Sequence, residues 1–205
     1  MTAVERFVLD HLPAGPARVL EVGCGTGDLA RKLSAAGYSV VAIDPAAPEG
    51  DIFVPVGLED FSAHEPFDAV VASRSLHHIE ELSTALDKIE GLLRAAGVLV
   101  VNEHAWDRLD EPTAQWYRRH LGHGDPGTAG SLTDCLNGWK HDHAGLHGYA
   151  AMRSELDRRF KPRHFAWGPY LFGELGKPEL EAEERRLIAA GQIQATAFRY
   201  VGERP

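Results

Sequence analysis

One stretch, Val19-Leu20-Glu21-Val22-Gly23-Cys24-Gly25-Thr26-Gly27, constrains this chain more than any other. Val19, Leu20 and Val22 are β-branched or aliphatic and suit a buried strand. The glycines at 23, 25 and 27 let the backbone turn tightly and approach a ligand closely, because no Cβ stands in the way. Residues 28–36 then read as a helix, with Leu29 and Leu33 one turn apart and Gly37 as its stop. Strand, glycine loop and helix together form a cradle for a nucleotide-type cofactor.

The spacing narrows the choice of cofactor. A dinucleotide fingerprint needs glycines at i, i+2 and i+5, and Asp28 stands at i+5 from Gly23. That disfavours an NAD-dependent oxidoreductase. No Gly-Lys-Ser/Thr follows, so a phosphate-binding P-loop fails as well. The pattern present is E-x-G-x-G-x-G, and with it the sequence resembles the class I S-adenosylmethionine (SAM) dependent methyltransferases.

The next strands extend the resemblance. Residues 38–44 read as a buried strand ending in Asp44, 17 residues after Gly27. A carboxylate there can accept both hydroxyls of a ribose, while Asp44-Pro45 also opens a turn. Residues 51–56 read as a short third strand that Pro55 marks as an edge. The following loop passes beside the adenine in the resembled family. Gly57 stands where that family often has Asp, which leaves Leu58 as apolar cover and Glu59 as polar neighbour. Phe67–Ser73 is the fourth strand and runs into Arg74-Ser75-Leu76-His77-His78-Ile79. This string is similar to the fourth-strand motif of the small-molecule members. It lacks the Asn/Asp-Pro-Pro-Tyr/Phe of DNA-amino methyltransferases, which argues against base methylation. A helix over 80–95, a turn Leu92-Leu93-Arg94-Ala95-Ala96-Gly97 similar to the family's "LLkpGG", and a fifth strand over 97–104 complete the resembling part.

Residues 105–163 differ in character. Trp106, Trp116, Tyr117, Trp139 and Tyr149 are interleaved there with histidines and glycines, with helices expected at 113–121 and 148–160 and a loop at 122–130. An insertion between the fifth and sixth strands closes over the site and chooses the substrate in such folds. The remainder reads as strand 164–172, helix 179–190 capped by Gly191, and strand 195–201. The resemblance thus implies a single α/β domain, a Rossmann-like three-layer sandwich whose seven-stranded, mostly parallel sheet has the order 3-2-1-4-5-7-6.

Composition excludes several partners. Acidic residues outnumber basic ones by 30 to 21, and a net charge of −9 speaks against nucleic acid. The clusters Arg118-Arg119-His120 and Arg158-Arg159-Phe160-Lys161 read as solvated helix faces. Cys24 and Cys135 have no metal-ligand spacing and suit a reduced cytoplasmic compartment. The first residues are too charged for a signal peptide, and no apolar run approaches a membrane span.

The resemblance implies roles for named residues. Gly23, Cys24, Gly25 and Gly27 would face the methionine end of SAM, Glu21 would support the loop or meet the amino group, and Asp44-Pro45 would hold the ribose. Leu58 and Glu59 would flank the adenine, and Ser73 with Arg74 the reacting end. Methyl transfer from a sulfonium is an in-line displacement in which the protein aligns the acceptor and removes its proton. Histidine does this near neutral pH, so His77, His78, His104, His141 and His143 are the candidate bases. Glu103 and His104 end the fifth strand and could orient a substrate. The run His141-Asp142-His143 with His147 has a metal-like spacing, but Gly145 and Gly148 disfavour the helix it needs, and no metal is assigned. The reading is O- or N-methylation of a small molecule, with S-adenosylhomocysteine as product. A catalytically inactive SAM-binding partner or sensor, and a protein or RNA methyltransferase, stand as alternatives. Neither the acceptor nor the oligomeric state is written in the residues.

Overall fold

The computed structural model describes residues 1–122 and 130–205. The expected loop 122–130 therefore falls almost wholly outside the described residues. The chain divides into two compact units. One holds Met1–Glu103, Ala150–Phe165 and Arg199–Pro205, and the other holds His104–Tyr149 and Ala166–Phe198.

The first unit is built on a seven-stranded sheet. Its strands are β1 (Arg18–Val22), β2 (Ser39–Ile43), β3 (Phe53–Val54), β4 (Phe67–Ser73), β5 (Leu93–His104), β6 (Lys161–Gly168) and β7 (Ala197–Glu203). The order is β3-β2-β1-β4-β5-β7-β6, as the resemblance implied. The pairings β1–β2, β1–β4, β2–β3 and β4–β5 are parallel. Strands buried on both faces need apolar residues at successive positions, which these have. Val19, Val40, Ala42, Ala69, Val71 and Val100 pack with Phe7, Val8 and Leu12 and with Ala30 and Leu33. Those partners come from α1 (Ala3–His11), its C-cap Leu12, and α2 (Asp28–Ala35). The alternate residues Leu20, Val70, Ala72, Leu99 and Val101 are equally buried, so the other face is covered too. Glu21 stands in the centre of this sheet, opposite Ala42 on one side and Val71 on the other.

Several boundaries move. The third strand shrinks to Phe53–Val54, and α3 spans Leu82–Leu92 rather than 80–95. The expected turn at 92–97 is absorbed into β5 as a bulge, because Phe67 pairs with Leu93 while Ala69 pairs with Val98. Ala96 carries the bulge at φ 57. The strand expected at 164–172 ends at Gly168, and a short helix α7 is assigned at Leu171–Glu174 in the second unit; α6 is Tyr149–Arg159.

The expected insertion 105–163 is cut differently. Residues 150–165 group with the sheet, since Met152 and Leu156 of α6 are fully buried. Arg159 is also buried, which corrects its reading as part of a solvated face. Its Nε donates to Asp87 Oδ1 at 2.5 Å, Nη2 to the Ser83 carbonyl at 2.9 Å, and Nη1 to Glu155 Oε2 at 2.6 Å. A buried guanidinium is tolerated when its donors are met in this way.

The second unit contains α4 (Glu111–His120), α5 (Leu132–Asp142), α7 and α8 (Glu181–Ala189). Helix α5, which the sequence reading did not foresee, begins at Ser131 with a capping box to Asp134. Leu109, Ala114, Trp116, Trp139, Leu171 and Ile193 form the core. Trp116 Nε1–H donates to Glu183 and Trp139 Nε1–H to the Trp106 carbonyl, so both indoles staple the helices. Glu184 is fully buried and accepts the N–H groups of Tyr170, Leu171 and Phe172 at 2.8–3.0 Å, capping α7. No helix among the described residues is long and apolar enough to cross a membrane.

Candidate functional site

The glycine loop leaves β1 with all three glycines in the left-handed region: Gly23 at φ 74, Gly25 at φ 49 and Gly27 at φ 79. The Gly23 and Cys24 N–H groups donate to the Ile43 carbonyl, and Gly27 N–H to that of Cys24. The three glycines differ in what surrounds them. A Cβ on Gly23 would stand 2.4 Å from Ser75 Cβ, and one on Gly27 would stand 2.4 Å from the Phe53 ring. A Cβ on Gly25 would meet nothing within 4 Å. Gly23 and Gly27 are therefore closed by protein, while Gly25 faces open space. Gly27 is also the N-cap of α2, which has no side-chain cap, so the first amides of that helix are presented beside the loop.

Asp44 follows β2 and faces the same loop. Its Oδ2 accepts Gly25 N–H at 3.0 Å and its Oδ1 accepts Ala46 N–H at 2.8 Å. The turn-forming role is thus present, and each oxygen keeps a further lone pair for a hydroxyl donor. Pro45 beyond it is exposed. Cys24 turns the other way, into the core with Phe7, Val8 and Leu33. Burial pushes its thiol up to about 11, so it stays protonated and only its main chain belongs to the loop.

Glu21 is 4% exposed, and its Oε2 is buried without a hydrogen-bond partner. Burial raises its carboxyl to about 8, opposed by the Ala30 amide. An uncompensated acid two residues before the loop is a costly arrangement in a folded protein, and it suits a site that receives a cation. Leu58 is buried and Glu59 exposed, with the Glu59 carbonyl accepting from Lys88 Nζ at 2.6 Å.

The loop after β4 is assembled by the end of β5. The Arg74 N–H donates to the Asn102 carbonyl at 2.9 Å, and Asn102 Nδ2 donates to Ser73 Oγ at 3.2 Å. Arg74 itself is held at φ 55, a costly conformation for a side-chain-bearing residue, and its side chain is exposed. Glu103 Oε1 accepts the N–H groups of Ser75 and Leu76, both at 2.7 Å, and Oε2 meets His77 Nδ1 at 2.5 Å. His77 and Glu103 are both buried, at 6% and 1% exposure. Ser75 Oγ is buried without a hydrogen-bond partner. His77 and His78 lie together, with ring centroids 4.1 Å apart, but His78 is exposed. Burial, then the His77 ring, hold His78 below the usual imidazole range. Sequence reasoning missed Ser75 and Asn102 and gave Glu103 only a substrate-orienting role. The available signal was the run of polar residues at the adjoining carboxyl ends of two parallel strands, where such folds bind ligands.

The other candidate histidines belong to the second unit. His104 is buried and stacks on Tyr170 at 3.8 Å, and its ring lies 5.2 Å from that of His143. His143 caps α5, with Nδ1 donating to the Trp139 carbonyl at 2.7 Å, which leaves Nε2 as its proton-accepting atom. His141 is exposed on the last turn of α5. Structure therefore groups His104 with His143 and leaves His141 at the surface. Among the described residues no group of three or more His, Cys, Asp or Glu is arranged to hold a metal ion.

Comparison with known proteins bears on this arrangement. The family described as "Methyltransferase domain" matches residues 2–139. An uncharacterized methyltransferase of Anoxybacillus flavithermus is 35% identical over 100 residues, 43% of this chain and 47% of that protein. A ubiquinone biosynthesis O-methyltransferase of Xylella fastidiosa is 32% identical over 111 residues, 47% of this chain and 45% of that protein. The chain thus spans about half the length of the curated relatives it matches. The N-methyltransferase NodS of Bradyrhizobium japonicum, solved with S-adenosylhomocysteine, superposes with a TM-score of 0.57 at 15% identity, over 98% of this chain and 84% of NodS.

Proposed function

Since this chain belongs to the methyltransferase-domain family, we propose that it binds SAM on the loop after β1 and methylates an oxygen or nitrogen of a small molecule, releasing S-adenosylhomocysteine. The observation that carries the proposal is Gly25, left-handed and open where its two neighbouring glycines are closed by protein. Of the three loop glycines, Gly25 is the one where a ligand can come against the backbone on the side a Cβ would occupy.

The residues around Gly25 fit the cofactor's groups. Asp44 would accept the ribose hydroxyls on its remaining lone pairs, and its bond to Gly25 N–H fixes the distance between loop and ribose. Glu21, buried without a hydrogen-bond partner at Oε2, would receive the ammonium, and the first amides of α2 would receive the carboxylate. Leu58 and Glu59 would border the adenine, and Ser73 and Arg74 the reacting end.

When bound, SAM supplies an activated methyl group on a sulfonium. The protein's own work is then to align the acceptor and to take its proton. His77, held by Glu103, is the leading base. His78 is held below the usual imidazole range by burial and the His77 ring, but it is exposed. The acidic net charge of −9 favours a small acceptor over RNA.

Calorimetric titration with SAM and S-adenosylhomocysteine, with NAD as control, tests the cofactor. The expected result is micromolar binding of the first two and none of NAD; absence of binding overturns it. S-adenosylhomocysteine release, measured across a panel of small hydroxyl and amine acceptors, then separates an enzyme from a SAM-binding sensor.

A further inference from the structure

The end of β5 sets the chemical state of a histidine 26 residues earlier in the chain. We infer that Glu103 is a positioning residue that locks His77 as the tautomer protonated on Nδ1, so that Nε2 is the ring atom able to accept a proton.

Three hydrogen bonds hold Glu103 in place. Its Oε1 is taken up by two main-chain donors, Ser75 N–H and Leu76 N–H, each at 2.7 Å. Those bonds fix the carboxylate plane against the first turn after β4 and aim Oε2 at Nδ1, 2.5 Å away. A carboxylate only accepts, so Nδ1 must be the donor. The same bonds hold the Ser75–His77 backbone, so ring position and ring tautomer come from a single side chain. A buried acid that orients an imidazole in this way acts through the histidine, as in hydrolase triads, without taking the proton itself.

The inference deepens the reading of His77 as a base and rests on it only for what Nε2 would do in the reaction. The tautomer is measurable without any acceptor, so failure of the two readings is distinguishable. Long-range proton–nitrogen NMR spectra of the 15N-labelled full chain, assigned through bonds and recorded from pH 6 to 10, report both ring nitrogens. The neutral His77 ring is expected to show Nδ1 bearing the proton and Nε2 bare. A ring protonated at Nε2, or one protonated at both nitrogens up to pH 10, would overturn the inference from the wild type alone.

The variant Glu103→Gln supplies a second arm. Glutamine keeps an acceptor for Ser75 and Leu76 and turns an amide donor toward His77, which should reverse the tautomer. An unchanged tautomer in a folded Glu103→Gln protein would also overturn it. A residue with only a packing role would not move this signature.

Discussion

Gly23 and Ser75 meet back to back: a Cβ on the glycine would stand 2.4 Å from Cβ of the serine. The loop after β1 and the loop after β4 therefore touch where no side chain fits. Gly25, two residues on, carries the same left-handed backbone with nothing within 4 Å of an added Cβ. Gly23→Ala is expected to destabilise the protein by about 2 kcal/mol or more through overpacking and strain. Gly25→Ala should cost only about 1 kcal/mol, for its backbone angle alone, yet weaken SAM binding at least tenfold by filling the cradle. Thermal melts paired with calorimetry check the contrast, and full SAM affinity in Gly25→Ala would remove the loop from the binding site.

Asp44 holds the loop with both carboxylate oxygens, which accept Gly25 N–H and Ala46 N–H, and the proposed ribose contact would use the same two oxygens. Asp44→Ala should weaken SAM binding by tenfold or more, on the order of 1.4 kcal/mol for lost charge-assisted bonds. Asp44→Asn, which keeps one acceptor oxygen, should fall between. Titration of both variants decides, and unchanged affinity in the alanine variant would sink the ribose assignment.

Glu21 makes both stability and binding depend on pH. Its carboxyl holds a proton up to about pH 8 in the folded chain, against an ordinary value of 4.5. The folded state thus binds the proton more tightly, so this contribution to stability is full below pH 4.5 and is lost as pH rises through 8. Chemical denaturation at pH 5, 7 and 9 should show the wild type losing stability relative to Glu21→Gln. If the SAM ammonium meets this carboxyl, binding at pH 7 expels its proton and affinity climbs toward pH 8. Calorimetry in buffers of different ionisation enthalpy counts that proton, and Glu21→Gln should release none.

Ala96 sits at φ 57 in the bulge of β5, exposed, where the resembled family's pattern has glycine. Relieving a left-handed alanine should outweigh the added freedom of the unfolded chain. Ala96→Gly is expected to gain about 0.5–1 kcal/mol, a rise of roughly 2–4 °C in Tm per kcal/mol for a chain of this size. A lowered Tm would show that the bulge is held by something other than this backbone angle.

Some of this could be read from residues in a row. The glycine spacing after Val22, the apolar runs of β1, β2, β4 and β5, and Asp44 at the end of β2 each depend on neighbours along the chain. Strand order followed from the resemblance those motifs carry. Ends of elements were less legible: the turn expected at 92–97 became a bulge, because pairing with β4 extends the strand back to Leu93.

What the sequence by itself determined was the backbone of the candidate site, since glycine conformation and continuous apolar runs are properties of local chain chemistry. Only the tertiary structure decided the partners of the buried polar groups. It turned Cys24 into the core, buried Arg159 against Asp87 and Ser83, gave Glu103 to Ser75, Leu76 and His77, and left Glu21 Oε2 without a hydrogen-bond partner. A buried charge or donor must be satisfied by whatever the fold brings within hydrogen-bond reach. The three partners of Glu103, and Asp87 and Ser83 beside Arg159, lie 26 and more residues away, where no local pattern records them.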